Sequence, residues 1–174
     1  MKRKHVYHIA LTAVLAALTT VSIFFLRVPV GPGIVHLGDV FILLSAVLLP
    51  TPYAMVVGAL GGGMANVLGA GGVIWAPATV VVKSTMTLPF GAKQNELLTP
   101  RNLLALLPYW AITVVGYAVY EMLFVSLSEV WHVVLIRSAV SSTVQVLGSA
   151  LVFIALATVL EKAKFKQRIG LSSI

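Results

Sequence analysis

The sequence predicts an all-α integral membrane protein: a single domain of six transmembrane helices with both termini cytoplasmic. Three observations carry that prediction. Of 174 residues, 59% are apolar and 10% are charged, whereas soluble domains carry roughly 25% charged residues. Apolar runs separated by polar or turn-forming stretches fill the chain, and this length holds at most about six or seven spans of about 20 residues. Basic residues then gather on one side of those runs, as they do in short cytoplasmic loops.

The first span, residues 9–26, follows the basic opening MKRKH and stays apolar past any small-residue cleavage site. A removable signal peptide is therefore not expected. The stretch RVPVGPGIVHLG then interrupts the helical pattern with prolines and glycines and reads as an irregular loop. Asp39 opens a short second span, 39–50, closed by Pro50-Thr51-Pro52. The third, 53–68, contains Gly58, Gly61, Gly62 and Gly63, small residues that let backbones approach closely in lipid. After GAGGVIWAP comes a short fourth span, 78–90, and then the polar loop GAKQNELLTPR. The fifth and sixth, 102–127 and 131–160, are long and uninterrupted, and 161–174 is a basic tail.

With the amino terminus inside, the inner segments hold Lys2, Arg3, Lys4, Lys93, Arg101, Lys162, Lys164, Lys166 and Arg168, and the outer loops hold only Arg27. That bias accounts for the net charge of +7 without nucleic acid, because so apolar a chain has too little polar surface for a basic groove. The tail is read as an orientation signal, with attraction to acidic lipid as the alternative. Cysteine is absent, which excludes a disulfide scaffold, thiolate metal ligands and a cysteine nucleophile.

Lys83, Glu121 and Arg137 fall inside spans. Charge within a bilayer is expensive, so each is expected to face a protein interior or a wet cavity. Each lies about six residues below the outer end of its helix, roughly 9 Å at 1.5 Å per residue. Residues four apart share a helix face. Arg137, Ser141 and Gln145 thus form one stripe, Thr113, Tyr117, Tyr120 and Glu121 another, and Thr79, Lys83 and Thr87 a third. Asn66 ends the third span, and two irregular outer loops carry His36, Asp39 and Trp75. The expected result is an outward-opening pocket whose substrate-binding residues are His36, Asp39, Asn66, Trp75, Lys83, Tyr117, Glu121, Arg137, Ser141 and Gln145. Plainer readings stand beside it. Glu121 with Arg137 or Lys83 would serve as an ion pair that only fixes packing, and Tyr117 as an interfacial belt residue. Ser141 and Ser142 would bond their own helix, and Asp39 would cap the second helix. Convergence at one depth favours a site.

No Gly-x4-Gly-Lys-Ser/Thr run, dinucleotide fingerprint, His-Glu-x-x-His helix or nucleophile elbow occurs. No catalytic residue, metal or cofactor is expected. Of the five acids, Glu96 and Glu161 fall on the cytoplasmic side, and no carboxylate pair is expected to converge. A small membrane enzyme and a structural membrane partner are the alternatives of another class. The halves differ too plainly for the inverted repeat of a self-contained carrier. In the first helix, Ala13 and Ala17 make a small-xxx-small pair of the kind by which helices dock.

These features resemble the substrate-binding S components of energy-coupling factor (ECF) vitamin transporters. The likeness rests on the six-helix count, both ends inside, Ala13/Ala17, and HLGDVFILLSAVLLPTPYAMVVGALGGGMANVLG followed by WAPATVVVKSTM. That passage spans residues 36–86 and is similar to the riboflavin, pantothenate and hydroxymethylpyrimidine-like branch; the remainder matches in hydropathy and span placement alone. The resemblance implies a high-affinity vitamin-binding subunit of a prokaryotic plasma membrane. It also implies an EcfT-like transmembrane coupling subunit and two cytoplasmic ATPases as partners, with toppling in the membrane to carry the site inward. Ala13 and Ala17 would meet the coupling subunit, and the loop from Arg27 to Gly38 would act as lid. By resemblance the ligand is a pyrimidine or pyridine vitamin such as hydroxymethylpyrimidine or pyridoxine. Pantothenate, whose carboxylate would suit Arg137 or Lys83, comes next, and riboflavin is a further alternative.

Overall fold

A computed structural model describes residues 2–30, 33–92 and 96–171. Lys93, counted above among the inner basic residues, lies outside the described residues, as do the side chains of Lys2 and Arg3. The structure is 77% helical. In chain order it runs α1 (Lys2–Phe25), β1 (Arg27–Val30), β2 (Gly33–His36), α2 (Gly38–Leu48), α3 (Thr51–Val67), a 3-10 turn (Val73–Trp75) leading into α4 (Ala76–Thr85), α5 (Pro100–Leu104), α6 (Leu106–Phe124), α7 (Trp131–Lys162) and α8 (Phe165–Arg168).

Among the described residues, three stretches are long and apolar enough to cross a bilayer: Lys4–Phe25, Pro100–Phe124 and Trp131–Lys162. Their outer faces carry large exposed apolar residues such as Val14, Leu18, Leu107, Val115, Leu147 and Leu151. In water such faces would drive association; against acyl chains they are the solvated side. The chain is an all-α membrane protein. By contrast α2, at 11 residues, is almost wholly buried in protein. Val40, Ile42, Leu43, Val47 and Leu48 form the centre of the core, where α1, α3 and α7 pack around them.

The glycines of α3 explain how tightly the first half closes. A Cβ on Gly61 would come within 2.6 Å of the Thr19 side chain on α1, and one on Gly58 would run into the Lys83 carbonyl on α4. Thr20 completes the α1–α3 contact by donating its hydroxyl to the Gly61 carbonyl at 3.1 Å. Small residues thus set the helix separation.

Three expectations change. The stretch after the first helix is an antiparallel hairpin rather than an irregular loop, pairing Arg27 with His36 and Val28 with Val35. β-branched residues on both arms favour strand, and Pro29 fits an isolated two-stranded ribbon where a missing N–H is tolerated. The fifth span is divided, with α5 and α6 meeting at Ala105; Pro108 lacks the N–H that would continue one helix through this point. The carboxyl-terminal segment is more than a basic tail. Phe165 and Ile169 pack against the core, Leu171 is fully buried, and the Lys166 ammonium donates to the Ala92 carbonyl.

Candidate functional site

Between the hairpin, α1, α3, α4, α6 and α7 lies a cavity of about 330 Å³, at the lower end of the roughly 300–1,000 Å³ of small-molecule sites. His36, Asn66, Trp75, Lys83, Tyr117, Glu121, Arg137, Ser141 and Gln145 all line it. Asp39 is the exception. It sits in the first turn of α2, fully buried, and the helix begins without a side-chain cap, so Asp39 neither faces the cavity nor acts as N-cap.

Asp39 is instead the counter-ion beneath the cavity floor. Lys83 Nζ lies 2.7 Å from each of its carboxylate oxygens, and the Tyr109 hydroxyl donates to the same carboxylate at 2.9 Å. Three helices, α2, α4 and α6, are thereby joined through one acid. Lys83 also stands 5.7 Å from the centre of the Tyr117 ring, a cation–π distance. Its partner is Asp39, and not Glu121.

A second charged group forms the rim. Arg137 pairs with Glu121 and, at 3.0 Å, with Glu129; the Ser126 hydroxyl lies 3.3 Å from the same guanidinium. Two carboxylates therefore do converge, on one arginine, against expectation. Glu129 escaped notice because it lies in the α6–α7 connection, off any helical stripe.

The two polar groups of Gln145 are already engaged. Its carbonyl oxygen accepts the His36 N–H at 2.8 Å, and its amide donates to the His36 carbonyl at 2.8 Å and to the Ser149 hydroxyl at 3.1 Å. The carboxamide treats His36 as a neighbouring strand would, and so fastens β2 to α7. Burial pushes the His36 imidazole pKa down to about 4; the Asp39 carboxylate acts to raise it and the Lys83 ammonium to lower it further. At neutral pH the ring is uncharged.

What remains open toward the cavity is a set of hydroxyls and rings. Ser141 and Ser142 line it, and neither hydroxyl has a partner among the described residues; they do not bond their own helix. Asn66 donates to Thr79 at 2.6 Å, and the Tyr117 hydroxyl reaches the same Thr79 at 3.2 Å. The Trp75 ring centre lies 6.3 Å from that of Tyr117 and 5.9 Å from that of Tyr120, an aromatic wall at contact range. Tyr120 is held by donating to the Ile74 carbonyl.

Sequence reasoning missed Tyr109 and the placement of Arg27 on the cavity wall. Tyr109 had a signal, since it begins the four-residue repeat that continues through Thr113, Tyr117 and Glu121. Arg27 had a weaker one, as the basic residue on the otherwise uncharged outer side. Ala13 and Ala17 lie exposed on α1, away from the cavity.

Residues 3–162 match the family of ECF-type riboflavin transporter S components. The chain belongs to that family. As an S component it is a vitamin-binding transporter subunit and not an enzyme, and the family associates with EcfT and ATPase components. The match carries the relationship through α6 and α7, where the sequence likeness had rested on hydropathy. No curated protein matches the chain.

Proposed function

We propose that this S component captures a water-soluble vitamin or precursor in the cavity beneath the hairpin, from outside the plasma membrane, as one domain of six spans with both termini cytoplasmic. The observation that carries the reading is a half-open cavity, with hydroxyls unpartnered among the described residues and an aromatic wall, inside a chain solvated by lipid. The excess of basic residues in the segments read as inner supports the orientation. The short α2 is compatible with it, because a helix sheathed in protein need not match the bilayer thickness of about 30 Å.

For the ligand, a single pyrimidine or pyridine ring such as hydroxymethylpyrimidine or pyridoxine suits a cavity of this size, with Ser141 and Ser142 for its hydroxyls. Riboflavin is the second reading, favoured by the family description and by the Trp75 and Tyr117 rings on the cavity wall. Pantothenate has no ring to use that wall. The partners are an EcfT-like coupling subunit, docking on Ala13 and Ala17, and two cytoplasmic ATPases.

Purified chain should retain one member of a panel of B vitamins and precursors at nanomolar to micromolar levels. A folded chain, helical by circular dichroism, that binds none of them overturns the reading. Ala13→Leu combined with Ala17→Leu should abolish uptake by cells that carry the whole transporter while leaving vitamin binding intact. Equal loss of binding would make α1 part of the core and remove its docking role.

A further inference from the structure

The carboxamide that fastens β2 to α7 also faces the His36 ring. The backbone sets its orientation. The His36 N–H needs an acceptor and the His36 carbonyl a donor, so the Gln145 oxygen lies at the first, 2.8 Å away, and its nitrogen at the second, also 2.8 Å away. Exchanging the two ends would set donor against donor and acceptor against acceptor. That same nitrogen lies 3.3 Å from His36 Nδ1, and an amide nitrogen carries donors only. Its two hydrogens are shared with the His36 carbonyl and the Ser149 hydroxyl, so it acts on the ring chiefly by opposing a proton on Nδ1. Nδ1 therefore keeps its lone pair, and the proton of the uncharged ring sits on Nε2. With the His36 pKa pushed down to about 4 by burial, this uncharged form is the one present at neutral pH.

Nε2 is the free edge of the ring. It has no hydrogen-bond partner among the described residues and is not sealed inside protein. The ring is only half-buried, and the open space it borders is the cavity. A guest that covers this N–H must bring an acceptor or leave a donor unpaired, which is costly once the group is out of solvent. The buried charges nearby ask for no ion in its place, because Lys83 is matched by Asp39, and at the rim Arg137 is matched by Glu121 and Glu129. A lone pair on a neutral heterocycle, at a ring nitrogen or a ring carbonyl, meets the requirement.

We infer that His36 is a specificity-determining residue whose Nε2–H donates to an acceptor on the vitamin's heterocycle, and that Gln145 is a positioning residue that selects the tautomer making this donation possible. The inference rests on the vitamin-binding reading and deepens it. The Ser141 and Ser142 hydroxyls can turn to suit a donor or an acceptor, whereas the fixed imidazole cannot. His36 therefore reads which edge of the ring is presented: an edge that offers N–H or C–H at this point forfeits the bond.

Two measurements on the purified chain test it, with hydroxymethylpyrimidine, pyridoxine and riboflavin as probes. NMR of isotope-labelled histidine ring nitrogens, with the His36 signals identified by their loss in His36→Gln, should show Nε2 protonated and Nδ1 unprotonated at neutral pH. Gln145→Met, which keeps the length and removes the donors opposite Nδ1, should mix the two tautomers. Saturation with whichever probe binds should leave the proton on Nε2 and slow its exchange with water. By calorimetry, His36→Phe, which keeps a ring and loses the donor, should weaken that probe about tenfold or more, the scale of an acceptor left unpaired. His36→Gln, whose amide N–H can stand near the place of Nε2–H, should recover most of the loss, with circular dichroism showing both variants folded. A ring protonated at Nδ1, an Nε2–H whose exchange the bound probe does not alter, or a folded His36→Phe that binds as the unaltered chain does overturns the inference. So does a folded His36→Gln as weak as His36→Phe, since ring shape and not the donor would then decide binding. A tautomer unchanged in Gln145→Met overturns the role of Gln145. All of these outcomes leave the vitamin-binding reading standing. If a folded chain binds none of the three probes this inference falls, and the vitamin-binding reading falls with it only when the wider panel of B vitamins and precursors also fails to bind.

Discussion

Two ion-paired clusters border one cavity, and they differ in nearly everything except residue type. At the floor, Lys83 and Asp39 have side chains 3% and 0% exposed, and Tyr109 supplies a further bond to the acid. At the rim, Arg137 is 31% exposed, Glu129 40% and Glu121 12%. A charge removed from solvent depends on its partner for its whole stabilisation, whereas a charge at a wet rim keeps water as a second source. The floor is thus a structural joint between α2, α4 and α6, and the rim is a screened, adjustable surface.

The largest expected effect breaks the joint. Asp39→Ala leaves the buried Lys83 ammonium without its counter-ion and should cost about 3–5 kcal/mol, read as a lower unfolding midpoint in detergent. Asp39→Leu combined with Lys83→Met should recover most of that loss, because no unpaired charge is left behind. A double variant as unstable as Asp39→Ala would show that Tyr109 or local shape, rather than charge pairing, holds the floor.

A middle-sized effect should come from acid. The His36 pKa is held down to about 4 from the ordinary 6.5, so the folded chain binds the proton less well than the unfolded one. The associated stability is complete above pH 6.5 and is lost as the pH falls through 6.5 toward 4. Denaturant midpoints measured across that window should decline, and His36→Gln should remove that part of the decline. An unaltered profile in the variant would mean that the imidazole is charged without penalty and the hairpin is less enclosed than its bonds to Gln145 imply.

The smallest effect belongs to the rim. Arg137→Ala should change stability by only about 1 kcal/mol or less, measured in the same unfolding experiment. A loss as large as that of Asp39→Ala would erase the distinction between the two clusters.

Which of these features the sequence revealed follows from the range of the physics involved. Stripes at four-residue spacing placed Arg137, Ser141 and Gln145 on one wall because helix periodicity is local. The family resemblance was legible in residues 36–86 because that passage has unusual glycines at close helix contacts. Partner choice was not legible. Whether Lys83 meets Glu121 or Asp39 depends on how α2 packs beside α4, a long-range contact without periodicity. Gln145 reads as a ligand contact in one dimension, yet the His36 backbone fills both ends of its carboxamide. The hairpin was hidden for a related reason: prolines and glycines mark a break in helix without saying what replaces it.

That carboxamide bond has a mechanical consequence. β2 is tied to α7 by the carboxamide of one side chain rather than by a sheet. Lifting β2 away from α7 requires Gln145 to let go, and the two backbone groups it releases at His36 must then find water at once. Opening is therefore easiest where water is at hand and hardest where hydrocarbon has taken its place.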